Sequence, residues 1–96
     1  MESGKLNILG TEYTVKLYPW DEDQETYGQT LVDHAEIRLN SRKSPDTYRD
    51  TLLHEIIHAL QHGLDIPMTE AVARRLATGL LTFFKANPKV AQWIVK

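Results

Sequence analysis

The chain has 96 residues, of which 42% are hydrophobic and 25% are charged, and its formal net charge is −2. This length predicts one small domain over residues 1–96 with a single core. The near-neutral charge and the scattered Lys and Arg residues give no reason to expect a nucleic acid partner. Because cysteine is absent, disulfides and thiolate metal ligands are excluded. A metal site would have to use histidines and carboxylates.

The same features bear on location. No apolar stretch approaches the ~18 residues of a membrane span, so no membrane partner is expected. Residues 1–5 lack the charged and then apolar pattern of a secretory signal. We therefore expect a cytoplasmic protein.

Residues 1–43 are predicted to form mainly strands. Apolar and polar residues alternate over 5–9 and over 12–17, on either side of a possible turn at Gly10-Thr11, which predicts a hairpin. The acidic segment 19–25 could suggest calcium, but the EF-hand spacing and its glycine are missing, so a solvated loop is favoured. Alternation over 35–40 predicts another half-buried strand. This pattern gives three strands and allows a fourth over 26–30.

Residues 44–96 are predicted to form helices. Ser44 at the N-cap, Pro45 at the first helical position and Asp46 in the first turn are typical of a helix start. This helix should run to about His62, where Gly63 would supply the left-handed residue that ends it.

Two more helices should follow, over about 68–86 and 88–96. The second helix should carry an apolar face made of Val72, Ala73, Leu76, Ala77, Leu80, Phe83 and Phe84. Gly79 in its interior costs ~1 kcal/mol relative to alanine, which predicts close packing there. Asn87-Pro88 repeats the cap and proline signal, and Val90, Trp93 and Ile94 should pack inward. The fold class is therefore α+β, with strands first and helices after.

The first helix contains the pattern H-E-x-x-H at His54, Glu55 and His58. Residues four apart lie on one helix face, so both imidazoles can bind one zinc ion while Glu55 acts on a water molecule. Thr51, the motif residues and His62 fall within one sector of roughly 100°. The simpler alternative is a solvated polar face that happens to contain histidines.

A catalytic zinc ion takes three protein ligands and one open position. His62 is the nearest third candidate, but it lies about 12 Å along the helix axis from His54, whereas two ligands of one ion lie within ~3–4 Å of each other. Capping of the helix C-terminus or a place at the rim is expected for His62.

Glu70 is the preferred third ligand, because a reversal after the first helix can bring it back to the histidines. Small residues three and seven positions later would let the two helices approach closely. Alternatively, Glu70 is an ordinary first-turn acid paired with Arg74. Asp65 in the loop remains a second candidate, and Asp33 and His34 are weaker ones.

The segment H-E-I-I-H-A-L-Q-H followed by T-E-A-V-A-R-R-L-A, within residues 51–81, resembles the small gluzincin-type metallopeptidases of the ImmA/IrrE group. More loosely, it resembles the SprT-like group and short phage-encoded metallopeptidase-like proteins. The resemblance implies a minimal zincin-like domain in which His54, His58 and Glu70 bind zinc and Glu55 is the general base. It also implies that an edge strand, here 35–40, binds an extended peptide.

The function that follows is zinc-dependent hydrolysis of a peptide or protein substrate, for which one specific regulator is a candidate. Tyr27, His34 and Tyr48 are candidate donors to the oxyanion. One alternative is a catalytically silent, zinc-bound protein that binds peptides or regulates a partner. The other is a metal-free helical binding module.

Overall fold

The computed structural model describes residues 4–20 and 26–96. Residues 21–25 of the acidic segment, where a solvated loop rather than a calcium site is predicted, lie outside the described residues. The described part of the chain is α+β, as predicted. The strands are β1 (Gly4–Ile8), β2 (Thr11–Tyr18), β3 (Gly28–Leu31) and β4 (Glu36–Asn40), and the helices are α1 (Pro45–Leu64), α2 (Glu70–Ala86) and α3 (Pro88–Ile94), with a short 3-10 turn at Val32–His34.

The described strands form one mixed sheet in the order β1-β2-β4-β3. β1 pairs with β2 and β3 pairs with β4 in antiparallel fashion, whereas β2 and β4 are parallel. The prediction that residues 35–40 form the edge strand is therefore wrong. The 3-10 turn and the left-handed residue Ala35 (φ 48°) reverse the chain after β3, so that β3 covers the open side of β4. β3 becomes the edge strand on this side.

The hairpin turn lies one residue earlier than predicted. Leu9 (φ 52°) and Gly10 (φ 84°) are its central residues, and both have the positive φ that a type I′ turn requires. The amide of Gly10 donates to Oδ1 of Asn7 at 2.9 Å. Thr11 instead begins β2.

The start of α1 is confirmed and its predicted end is wrong. The Ser44 side chain accepts from the amide of Thr47, and Pro45 opens the helix. Gly63 stays helical, and Asp65 (φ 53°) is the left-handed residue instead. Gly63 has a packing role, because a Cβ there would lie 2.7 Å from Cδ1 of Leu9.

α1 lies between the sheet and α2. On one side, Leu52, Ile56 and Ala59 pack with Val15 and Ile37 of the two central strands. On the other side, Ile57 packs against Ala73 and Ala77 of α2, both of them fully buried. These two alanines allow the close helix approach that was expected. The arrangement fixes which sector of α1 opens between β3 and α2.

The outer side of α2 and α3 differs from the sequence prediction. Val72, Leu76 and Phe83 are exposed, and a Cβ on Gly79 would meet no atom within 4 Å. α3 has no buried residue, and Val90, Trp93 and Ile94 are all exposed. Asn87 is the N-cap residue of α3 and Pro88 opens the helix, as predicted, but the Asn87 side chain makes no cap hydrogen bond; its Nδ2 donates to the carbonyl of Phe83 at the end of α2. Among the described residues, no helix is both long and apolar enough to cross a membrane.

Candidate metal centre

The polar sector of α1 points into the molecule from Thr51 to His58, whereas His62 at its end is exposed. Its Thr51 and Glu55 are 8% and 5% exposed, and His54 and His58 are partly buried. A solvated polar face would leave these side chains exposed. The sector therefore lines a site between β3 and α2.

The ligand-type atoms of three side chains converge there. Nε2 of His54 lies 2.7 Å from Oε1 of Glu70, and Nε2 of His58 lies 2.8 Å from Oε2 of Glu70. The two Nε2 atoms are 3.0 Å apart. Ligand atoms of all three residues fit within 4.8 Å of one another. The structure thus brings together the three residues that the sequence selected.

The donor set fits a zinc ion. Two imidazole nitrogens and one carboxylate leave one of four positions open, and a tetrahedron with bonds of about 2.0–2.1 Å separates its ligand atoms by ~3.3 Å. The observed N···O and N···N separations of 2.7–3.0 Å are shorter than this value by about 0.3–0.6 Å, and each histidine contacts a different oxygen of Glu70. Hydrogen bonding alone fits less well: if both histidines donated to Glu70, two N–H groups would lie side by side with their nitrogens only 3.0 Å apart. A shared cation would use all the lone pairs.

The backbone places Glu70 at the first position of α2, where Thr69 caps the helix by accepting from the amide of Val72 at 3.2 Å. Partial burial raises the pKa of Glu70, but the charges and hydrogen bonds of His54 and His58 outweigh it and hold the pKa below its usual value. The carboxylate therefore stays ionised, which is the form that binds a cation.

The other candidate ligands lie elsewhere. Asp65 forms the left-handed end of α1, and it does not cap α2. Asp33 and His34 belong to the 3-10 turn, and His62 lies in the last turn of α1. In the described part of the chain, none of these four residues belongs to the convergent group.

Glu55 lies beside the cluster and faces β3. Thr30 Oγ1 lies 2.7 Å from Oε1 of Glu55 and 3.0 Å from its main-chain oxygen. Burial raises the pKa of Glu55, and the negative charge of Glu70 raises it further. The hydrogen bond from Thr30 and the charges of His54 and His58 lower the pKa, but burial outweighs them. A carboxylate with a raised pKa accepts a proton more readily, as a general base must.

The site opens into a cleft of about 850 Å³ bordered by both β3 and α2. Gly28 lets β3 approach α1: a Cβ there would lie 2.6 Å from Cγ2 of Thr51 and 3.2 Å from Oε2 of Glu55. Lys43 and Arg74 also line the cleft. Arg74 lies 3.8 Å from Glu70, so the ion pair expected four residues apart coexists with the histidine contacts.

The three candidate oxyanion donors differ in position. Tyr27 lines the cleft, with the Lys43 ammonium 4.5 Å from its ring centre. Tyr48 packs against the core and donates to the carbonyl of Ser41 at 2.9 Å, so its hydroxyl is already used. His34 is exposed on the 3-10 turn and is not among the cleft-lining residues.

Two residues at the site were not selected from the sequence. Thr30 lies 25 positions before Glu55, and nothing in its local sequence marks it. Gln61 contacts His58 Nδ1 at 3.2 Å. Its position three residues after His58, on the same side of α1, is a signal that could have identified it.

The comparison with protein families agrees with the geometry. The Peptidase M78 model, described as the IrrE N-terminal-like domain, matches residues 10–80. The chain belongs to this family. The ImmA/IrrE resemblance is thereby confirmed, and the match makes this a metallopeptidase-like domain whose family region contains β2 to β4, α1 and the cluster. No curated protein and no solved structure matches the chain significantly.

Proposed function

We propose that this member of the IrrE N-terminal-like family is a zinc-dependent peptidase. The main support is the convergence of His54, His58 and Glu70 next to the buried carboxylate of Glu55. A structural metal site has no need of such a carboxylate, because burying an unpaired charge is costly. Catalysis does need it, to take a proton from water.

In this proposal His54, His58 and Glu70 hold the zinc ion, which when bound supplies a Lewis acid for the peptide carbonyl and for a water molecule. Glu55 takes a proton from the attacking water and returns it to the leaving amine. Thr30 holds the Glu55 carboxylate by one oxygen. Tyr27, which lines the cleft, would donate to the carbonyl oxygen.

β3 would position the substrate. It is the edge strand that borders the cleft, and its far side has no partner strand among the described residues. An extended peptide can add to such an edge through main-chain hydrogen bonds. Thr30 lies on this strand and contacts Glu55, so β3 would contact both the bound peptide and the general base.

The test compares the wild type with Glu55→Gln. Both proteins should bind about one zinc ion per chain. The wild type should cleave members of a broad library of quenched fluorescent peptides, and the variant should be slower by about 10²–10⁴-fold, because its amide cannot accept the proton. His54→Ala is the control without metal.

Two results would contradict the proposal. Activity that persists in Glu55→Gln would show that another residue is the base. A wild type that binds zinc and peptides but hydrolyses none of them would favour the catalytically silent alternative.

A further inference from the structure

The side chain of Gln61 joins one histidine of the cluster to the linker that leads to Glu70. Its Oε1 lies 3.2 Å from Nδ1 of His58, and its Nε2 donates to the main-chain carbonyl of Met68 at 3.0 Å. Gln61 lies three residues after His58 on α1, and Met68 lies two residues before Glu70. One amide group therefore contacts both sides of the site.

These contacts fix the hydrogen on His58. The Met68 carbonyl can only accept, so the NH2 end of the Gln61 amide faces it and the amide oxygen faces His58. That oxygen also only accepts, so Nδ1 of His58 must carry the hydrogen. A neutral imidazole has one N–H, which leaves the lone pair on Nε2, the atom that faces His54 and Glu70.

The main chain of Gln61 holds the same linker. Its carbonyl accepts from the amide of Ile66 at 2.9 Å, near the start of the linker, while its side chain holds Met68 near the end. Thr69 then caps α2, whose first residue is Glu70. The path from α1 to the third ligand is thus attached to Gln61 at two points.

We propose that Gln61 is a positioning residue of the metal centre. It selects Nε2 of His58 as the nitrogen that faces the metal, and it keeps Glu70 within reach of the same ion. This inference rests on the proposed function, because it requires a metal at the cluster. Groups that orient a ligand in this way typically change metal affinity by ~10–100-fold when they are removed.

The test measures zinc affinity by competition with a chromophoric chelator, together with thermal unfolding of the metal-free protein. Gln61→Met keeps the length of the side chain and removes both hydrogen bonds, and it should weaken zinc binding by ~10–100-fold. Gln92→Met makes the same exchange at an exposed position of α3 and should bind zinc within about twofold of the wild type. Gln61→Leu also removes both side-chain hydrogen bonds without adding a charge, so it should weaken zinc binding to a similar extent.

The role of Gln61 in placing Glu70 is tested in a Glu70→Ala background. There the loss caused by Gln61→Met should be smaller than in the wild type, because two residues that act on one site are not additive. If Gln61→Met instead lowers zinc affinity by the same factor in both backgrounds, its effect is a general structural defect, and the role of Gln61 in placing Glu70 is overturned. If Gln61→Met fails to fold, the comparison is made with Gln61→Leu, and zinc affinity equal to that of the wild type would then overturn the positioning role of Gln61.

The remaining outcomes separate this inference from the proposed function. If the wild type and Gln61→Met bind zinc with equal affinity, the role of Gln61 is overturned and the proposed zinc site is retained. A wild type that binds no zinc overturns both.

Discussion

A methyl group added at Gly28 should destabilise the protein, because this glycine lies where β3 meets α1. A Cβ there would lie 2.6 Å from Cγ2 of Thr51, 3.0 Å from the carbonyl oxygen of Arg38 and 3.2 Å from Oε2 of Glu55. The Arg38 carbonyl belongs to β4, the strand that pairs with β3, so it cannot move without disturbing the sheet. Thr51 is itself buried. Gly28→Ala must therefore push β3 away from the helix.

The magnitude follows from two opposing effects. Overpacking a close contact costs about 1–3 kcal/mol. Replacing glycine with alanine restricts the unfolded chain and returns about 0.4–1 kcal/mol. The net loss should be about 1–2 kcal/mol, which in a domain of this size lowers Tm by roughly 5–15 °C.

Two other glycines provide matched controls. At Gly79 the added Cβ meets no atom within 4 Å, so alanine should stabilise α2 by about 0.5–1 kcal/mol. At Gly63 the Cβ meets Cδ1 of Leu9 at 2.7 Å, but this side chain is 54% exposed and can turn away. Gly63→Ala should therefore be close to neutral. The expected order of stability is Gly79→Ala, Gly63→Ala and then Gly28→Ala.

The assay is thermal unfolding followed by circular dichroism in EDTA, so that metal binding adds nothing to Tm. Gly28→Ala that melts at or above the wild type would refute the close approach of β3 and α1. Gly79→Ala that melts below the wild type would show that the outer side of α2 is covered in solution.

Three further predictions concern the site and its surroundings. Glu70→Ala should weaken zinc binding by more than the ~100-fold typical of a residue that only hydrogen-bonds to a ligand, whereas His62→Ala should leave zinc binding nearly unchanged. The reverse order in a chelator titration would show that Glu70 is not the third ligand. Zinc at a hundred times its Kd should stabilise the wild type by about 2.7 kcal/mol and raise Tm by roughly 10–20 °C; an equal rise in His54→Ala would place the metal elsewhere. Tyr48→Phe should cost about 1 kcal/mol through the lost bond to Ser41 and leave hydrolysis unchanged; loss of activity without loss of stability would restore Tyr48 as an oxyanion donor.

Local signals in the sequence determined much of the architecture. The Ser44-Pro45 start of α1 depends on hydrogen bonds within one turn, and sequence alone identified it. The H-E-x-x-H spacing brings His54 and His58 together because both lie on one helix face. Glu70 could be selected from its place after a chain reversal, although its contacts with both histidines depend on how α2 packs against α1.

Tertiary packing decided features that local patterns cannot contain. Strand order was one: alternation marks a strand but not its neighbours, so the sequence could not show that β3, and not residues 35–40, forms the edge beside the cleft. The end of α1 was another: Gly63 lies beside Leu9 of the distant hairpin and stays helical, and Asp65 is the left-handed residue instead. Thr30 contacts Glu55 across 25 residues for the same reason. The sequence by itself determined the two candidate ligands His54 and His58 through their spacing on one helix, whereas the packing of α1 against the sheet and α2 decided which groups surround them, because those contacts join segments far apart in the chain.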